Sequence, residues 1–181
     1  ICTDLHYTFE SGGKIQVRMD TSVPEGYPCL PRIGTELQVP KEFCEVNWYG
    51  RGKTETYPDR KMSVPIGAYR EQVDEQECPY LVPGEWGGHE DTEWMELRDQ
   101  SGCGIRIQAE TPFHFDAHRN SIREYEQAAH WHELPEGDRV WLHIDGIFAG
   151  LGGDTGWFQT IHPEYQIGAG EYTMSYRMEP V

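Results

Sequence analysis

A glycine-rich stretch that ends at Trp157 is the part of the chain whose residue types most suggest a binding site. Apolar residues alternate over positions 140–144, which is typical of a strand with one buried face, and five glycines follow between positions 146 and 156. That many glycines would destabilise a strand or helix, so the pattern predicts a loop with positive-φ turns. A tryptophan on such a loop can stack on a sugar ring, a contact worth about 0.5–1.5 kcal/mol beyond area burial. It can equally cover an edge of the core, and the pattern by itself leaves both interpretations open.

Pairs of histidines offer a second kind of chemistry, the binding of a metal ion. His130 and His132 lie two positions apart next to Glu133, and residues at i and i+2 of a strand share one face. Half-buried histidines with hydrogen-bond partners explain the same pattern, and we adopt this interpretation because no third ligand stands at a suggestive spacing. A similar group consists of His114, Asp116 and His118. We therefore expect no metal ligands in this chain.

Motifs for nucleophilic or cofactor chemistry are absent from the sequence. It has no Gly-x-Ser-x-Gly, no phosphate loop and no dinucleotide fingerprint. Glycosidases work with two carboxyl groups, and Glu90 with Asp91 and Glu93 offers such pairs. With 31 acidic residues, however, pairs arise by chance and usually form a solvated face. We expect no catalytic residue and no cofactor here.

Composition limits the class of protein and its partners. The chain has 15 basic and 31 acidic residues, and its net charge of −16 repels phosphate backbones and anionic lipid, which argues against nucleic acid or membrane as a partner. No apolar run approaches the length of a membrane span, and no signal-peptide pattern opens the sequence. Its 181 residues suit a single domain over positions 1–181. The five cysteines cannot all pair, and we interpret them as mostly reduced, which favours a cytoplasmic location.

Alternating apolar residues, punctuated by glycine and proline, predict an all-β domain. Residues 5–9 and 15–19 alternate on either side of Gly12-Gly13, as in a β-hairpin. Residues 49–70 have no sustained period and indicate an irregular segment that covers a sheet or forms a site. Further strands are expected at residues 32–39, 43–48, 79–83, 93–98, 104–109, 140–144 and 171–178.

One short helix is predicted after Ser121. This side chain can cap the first turn while Glu124 reaches back to complete a capping box. The helix is expected to end at about Ala129. It does not alter the all-β class.

Four ordered stretches together resemble the C-terminal small-chain domain of the large bacterial β-galactosidases of glycoside hydrolase family 2. They are Leu30-Pro31-Arg32-Ile33-Gly34; Val46-Asn47-Trp48-Tyr49-Gly50-Arg51-Gly52 with Glu55-Thr56-Tyr57-Pro58-Asp59-Arg60; Pro79-Tyr80-Leu81-Val82-Pro83-Gly84-Glu85-Trp86-Gly87; and Trp141-Leu142, Ile144-Asp145-Gly146 and Gly150-Leu151-Gly152-Gly153-Asp154 before Trp157. Because they occur in order over most of positions 30–176, chance is a poor explanation.

The resemblance implies a β-supersandwich of the galactose mutarotase-like type, packed against a catalytic barrel elsewhere in the polypeptide. The family's domain begins before the residues that match, so the sandwich is expected to be incomplete at its N-terminal side. In that family the catalytic glutamates lie on the barrel, and Mg²⁺ and Na⁺ are often bound in other domains. The partners implied are the remaining domains of the same β-galactosidase, a galactoside substrate and further copies in a homo-oligomer.

The resemblance also gives the loop a role. By motif position, Trp157 forms part of the platform for the aglycone, such as the glucose of lactose. Asp154 and Gly153 beside it are the other expected substrate-binding residues. This makes the chain a supporting domain of an enzyme that hydrolyses terminal non-reducing β-D-galactose residues, not catalytic alone.

Two other functions stay open at this point. A free-standing carbohydrate-binding or aldose-epimerase-like module would need a general acid and base, which His114, His130 and His132 could be asked to provide. A purely structural domain would serve only in assembly.

Overall fold

The computed structural model describes residues 1–154, 157 and 160–181. The strands of this part are β1 (Cys2–Phe9), β2 (Ile15–Val23), β3 (Arg32–Pro40), β4 (Glu45–Arg51), β5 (Ile66–Gln72), β6 (His89–Arg98), β7 (Gly104–His118), β8 (Arg139–Phe148) and β9 (Gly170–Pro180). Helix α1 spans Ile122–Gln127, and short 3₁₀ turns lie at Ser11–Gly13, Val73–Glu75, Trp131–Glu133 and Pro163–Tyr165. The predicted all-β class with one short helix is confirmed.

The strands pair antiparallel in one sheet, which branches at β7. Its main order is β1-β2-β9-β7-β6-β4-β5, and β3 joins it through β8. One edge of β7 pairs with β6, while the other pairs with β9 through residues 105–109 and with β8 through residues 114–118. Pro112, which has no backbone N–H, lies between these two sections. The sheet thus divides into the leaves β9-β2-β1 and β8-β3, which is consistent with an all-β sandwich.

One apolar core joins strands of both leaves. Trp48 on β4 is fully buried, stacks on His89 with ring centroids 4.3 Å apart, and lies edge-on to Phe115 at 5.9 Å. Its indole Nε1 donates to the carbonyl oxygen of Arg51 at 2.8 Å, so burial leaves no polar atom of this side chain unpaired. The fully buried aliphatic side chains of the same core include Val17, Met95, Leu97, Ile107, Leu142 and Ile144. β1, by contrast, is exposed along its whole length.

Several predicted elements are confirmed. The hairpin forms between β1 and β2, and Gly12 and Gly13 adopt φ values of 77° and 76° in its turn. Ser121 and Glu124 make the predicted capping box. Within the described residues, no helix has both the length and the hydropathy needed to cross a membrane.

Other predicted elements are wrong. Residues 79–83 form no strand, and the segment predicted as irregular contains strand β5 at its end. The strand expected to end at residue 109 continues as β7 to His118. Pro112 has no backbone N–H to donate, and it falls in the section of β7 between its pairing with β9 and its pairing with β8.

Candidate functional site

The glycine-rich loop begins directly after β8. Its first residues are fixed by backbone hydrogen bonds, from Ala149 to the carbonyl oxygen of Pro31 at 2.8 Å and from Gly150 to that of Tyr165 at 3.0 Å. The loop therefore starts from a firm position against two other segments.

Two glycines then turn the chain. Gly152 and Gly153 have φ values of 66° and 80°, in the left-handed region that favours glycine. A Cβ on Gly152 would also lie 2.6 Å from the carbonyl oxygen of Thr160. The loop with positive-φ turns predicted from the glycine pattern is confirmed.

Asp59 and Arg60 brace this loop from a distant part of the sequence. The Oδ1 atom of Asp59 accepts from the backbone N–H of Leu151 at 3.1 Å, and its Oδ2 accepts from that of Gly152 at 2.7 Å. Arg60 Nη2 donates to the carbonyl oxygen of Gly152 at 2.6 Å. A Cβ on Gly150 would lie 2.6 Å from Asp59 Oδ2, so glycine also permits this close approach. The brace thus fixes the backbone N–H of Leu151 and both the N–H and the carbonyl oxygen of Gly152.

Trp157 is 88% exposed and therefore does not cover the core. Asp154 is also exposed and accepts from His162 Nε2 at 2.9 Å, a hydrogen bond that lowers the pKa of the Asp154 carboxyl. A Cβ on Gly153 would lie 3.5 Å from Arg60 Nη2, an ordinary contact. The three predicted substrate-binding residues thus lie on one exposed loop, and their contact with substrate stays a prediction.

A pocket of about 500 Å³ adjoins the loop. Its lining includes Tyr57, Trp86, Tyr125, Phe148 and Leu151. Glu85 also lines it and forms an ion pair with Arg32 at 2.6 Å. The pocket thus combines aromatic walls with a charged pair, a composition common in small-molecule sites.

Behind the pocket lies a buried charged network centred on Arg32. Arg32 Nη1 donates to Asp116 at 3.0 Å and to Asp145 at 3.2 Å. Burial raises the pKa of Asp145 to about 6, against the opposing charge of Arg32. Burial alone would lower the pKa of His143, but the charge and hydrogen bond of Asp116 outweigh it and raise that pKa to about 9. The network joins β3 to β7 and β8 and so positions the strand from which the loop emerges.

The carboxylates considered as a catalytic pair are Glu90, Asp91 and Glu93. Glu90 bonds to His114 Nδ1 at 2.9 Å, while Asp91 accepts from Arg51 and Lys61, each at 2.6 Å. The third carboxylate is exposed. Because the first two are held by fixed partners, the structure gives Glu90 a hydrogen-bonding role and Asp91 an ion-pairing role.

The histidines proposed for an epimerase do not form one group. His114 is buried on β7, whereas His130 and His132 are exposed beside a 3₁₀ turn. The interpretation of the latter two as half-buried is wrong. A shared acid–base role for these three histidines is therefore unsupported.

Sequence reasoning missed the residues that hold the loop. Asp59 and Arg32 both stand inside the stretches quoted for the family resemblance, but their partners lie about a hundred positions away in the sequence. The clustered Tyr57-Pro58-Asp59-Arg60 motif was the signal that could have identified the brace.

Fold and site together define an all-β domain that presents an exposed tryptophan on a braced glycine loop. The chain belongs to the β-galactosidase small-chain family, whose sequence profile matches residues 1–178.

Relatives support this membership. The chain is 34% identical to a β-galactosidase of Vibrio cholerae serotype O1 over 165 residues, which is 91% of this chain and 15% of that protein. It is 31% identical to a β-galactosidase of Streptococcus thermophilus over 97% of the chain and 17% of the relative. The β-galactosidase BgaC of Bifidobacterium adolescentis is 34% identical over 78% of the chain. The chain therefore corresponds to a small part of each relative's length, as a domain of a β-galactosidase does.

Proposed function

We propose that this chain supports the active site of a β-galactosidase and that its loop presents Trp157 to the aglycone of the substrate, such as the glucose of lactose. In this proposal the whole enzyme hydrolyses terminal non-reducing β-D-galactose residues of β-galactosides. The domain contributes binding and shape, and the acid–base chemistry belongs to other parts of the polypeptide.

The observation that carries the proposal is the exposure of Trp157 on a loop whose first residues, 149–152, are fixed by hydrogen bonds. At 88% exposure the indole leaves most of its surface available for contact. A large exposed aromatic side chain leaves its apolar surface in contact with water, which is unfavourable until a ligand stacks on it. The brace by Asp59 and Arg60 holds the start of this loop, and a loop whose start is already ordered loses less entropy when a sugar docks on it.

The partners follow from the same proposal. The remaining domains of the enzyme supply the catalytic glutamates and hold any Mg²⁺ or Na⁺, and the complete enzyme is a homo-oligomer. The cysteines Cys2, Cys29, Cys44, Cys78 and Cys103 are all free, which supports a reducing compartment such as the cytoplasm.

Hydrolysis of nitrophenyl β-D-galactoside separates a supporting domain from an enzyme. We expect no turnover above background by the isolated chain, and turnover by the whole β-galactosidase that carries it. A folded isolated chain that hydrolyses this substrate at an enzymatic rate would overturn the proposal.

A further inference from the structure

We propose that His130, His132 and Glu133 bind a divalent transition-metal ion, with Zn²⁺ as the representative. The three residues lie at the 3₁₀ turn Trp131–Glu133, in the connection between α1 and β8. One ligand atom from each lies within 4.8 Å of the others. This site is separate from the tryptophan loop and independent of the proposed function.

The geometry is close to what zinc requires. Four ligands of a tetrahedral Zn²⁺ at 2.0–2.1 Å stand about 3.3 Å from one another. His130 Nδ1 and Glu133 Oε1 are already 3.1 Å apart. The rings of His130 and His132 stack with centroids 5.4 Å apart and an interplanar angle of 24°, which places the second imidazole beside the other two ligands.

The carboxylate is held in place before any metal arrives. Glu133 Oε2 accepts from the backbone N–H of Ala129 at 2.8 Å and of His130 at 3.2 Å, which leaves Oε1 directed at the His130 ring. Trp131 Nε1 donates to the carbonyl oxygen of Tyr80 at 2.6 Å and anchors the first residue of the turn. Two ligands on a fixed turn lose little entropy on binding an ion.

The donor set selects the type of ion. Two imidazole nitrogens with one carboxylate suit Zn²⁺, Cu²⁺ or Ni²⁺, whereas Mg²⁺ and Ca²⁺ prefer oxygen ligands alone. The net charge of −16 adds a general attraction for cations, but it does not distinguish among them. Because the residues are exposed, the remaining coordination positions are open to water. An ion bound here would join the two ends of the turn and stabilise the folded chain.

Calorimetric titration with Zn²⁺ tests the site. We expect one ion per chain at this site, with the association constant reduced at least about tenfold in both His130→Ala and His132→Ala, since even residues that only support ligands contribute that much. Glu133→Gln should weaken binding as well. His6→Ala, which removes an exposed histidine from strand β1, is the matched control and should change nothing.

Two further outcomes decide the proposal. Zn²⁺ should raise the Tm of the parent chain but not that of the double variant His130→Ala/His132→Ala, and an equal concentration of Mg²⁺ should leave both unchanged. Because both histidines are exposed, the double variant should retain the parent circular dichroism spectrum. Zn²⁺ binding that survives in the double variant would assign the ion to the cysteines or other groups and overturn the proposal, as would a parent chain that binds no Zn²⁺.

Discussion

Replacing Asp59 with asparagine should release the tryptophan loop while leaving the sheet intact. The carboxylate accepts two backbone N–H groups, from Leu151 at 3.1 Å and Gly152 at 2.7 Å. Asparagine keeps one acceptor oxygen but turns an NH₂ group towards the second N–H, so one charge-assisted hydrogen bond is lost and the other becomes neutral. Hydrogen bonds to charged groups contribute about 1.5–3 kcal/mol and neutral ones about half of that. Since Asp59 is half-buried and water can replace part of the loss, we expect a net cost of about 1–2 kcal/mol.

The kinetic consequence follows from the population of the braced loop. A cost of 1–2 kcal/mol changes an equilibrium by about 5- to 30-fold, and the fraction of molecules with the loop in place falls by at most that factor. In the whole β-galactosidase, the KM for lactose should therefore rise by up to about 5- to 30-fold. The KM for β-D-galactosyl fluoride should stay near the parent value, because its aglycone is a single atom and has no ring to stack.

The comparison of the two substrates is what makes this prediction refutable. Asp138→Asn, which alters an exposed carboxylate paired with Arg139, is the matched control and should affect neither substrate. An unchanged KM for lactose in Asp59→Asn would show that the brace does not position the loop. Equal losses on both substrates would show damage to the domain as a whole.

Three further predictions concern the stability and geometry of the chain. The pKa of His143 is raised from 6.5 to about 9 in the folded chain, so its stabilisation is complete below pH 6.5 and is lost as pH rises through 9. In urea unfolding, the free energy of unfolding of the parent should fall by up to about 3 kcal/mol over this pH window, and that of His143→Gln should fall much less. His6→Gln is the control and should behave as the parent. Equal pH slopes for His143→Gln and the parent would contradict this prediction. Ser121→Ala should cost about 1 kcal/mol in the same assay by removing the helix cap, and a loss no larger than that of the exposed Ser63→Ala would refute it. Gly152→Ala should raise the KM for lactose as Asp59→Asn does, because the φ of Gly152 is 66° and the new Cβ would meet Thr160. Gly102→Ala is the control, since Gly102 has a similar φ of 88° but open space around it, and this variant should leave lactose kinetics unchanged. Equal lactose kinetics in the two variants would argue against the steric reasoning.

Local patterns were sufficient for the elements whose determinants are close in sequence. The hairpin depends on Gly12 and Gly13, and the helix on a capping box between Ser121 and Glu124, so each could be predicted from a few neighbouring residues. Strand β5 was missed because, in the part of the chain that the structure describes, it pairs with β4 alone and has no fully buried side chain, and therefore shows no apolar alternation. Long-range pairing, not local preference, makes that segment a strand.

The site was only partly predictable for a similar reason. The glycines and Trp157 stand together and suggested a shaped loop that presents an aromatic. The brace and the buried network depend on contacts such as Asp59 with Gly152 and Arg32 with Asp116, which join residues 93 and 84 positions apart. No spacing rule links such residues before the sheet is assembled.

Replacement of Trp157 itself tests the central claim most directly. In the whole β-galactosidase, Trp157→Ala should raise the KM for lactose by at least about two- to twelvefold, the equivalent of 0.5–1.5 kcal/mol of stacking. Trp157→Phe should recover part of the loss, and Phe9→Ala, which removes another exposed aromatic, should have no effect. The KM for β-D-galactosyl fluoride should not change in any of these variants. Lactose kinetics that are unchanged in Trp157→Ala would contradict the assignment of this loop to the aglycone.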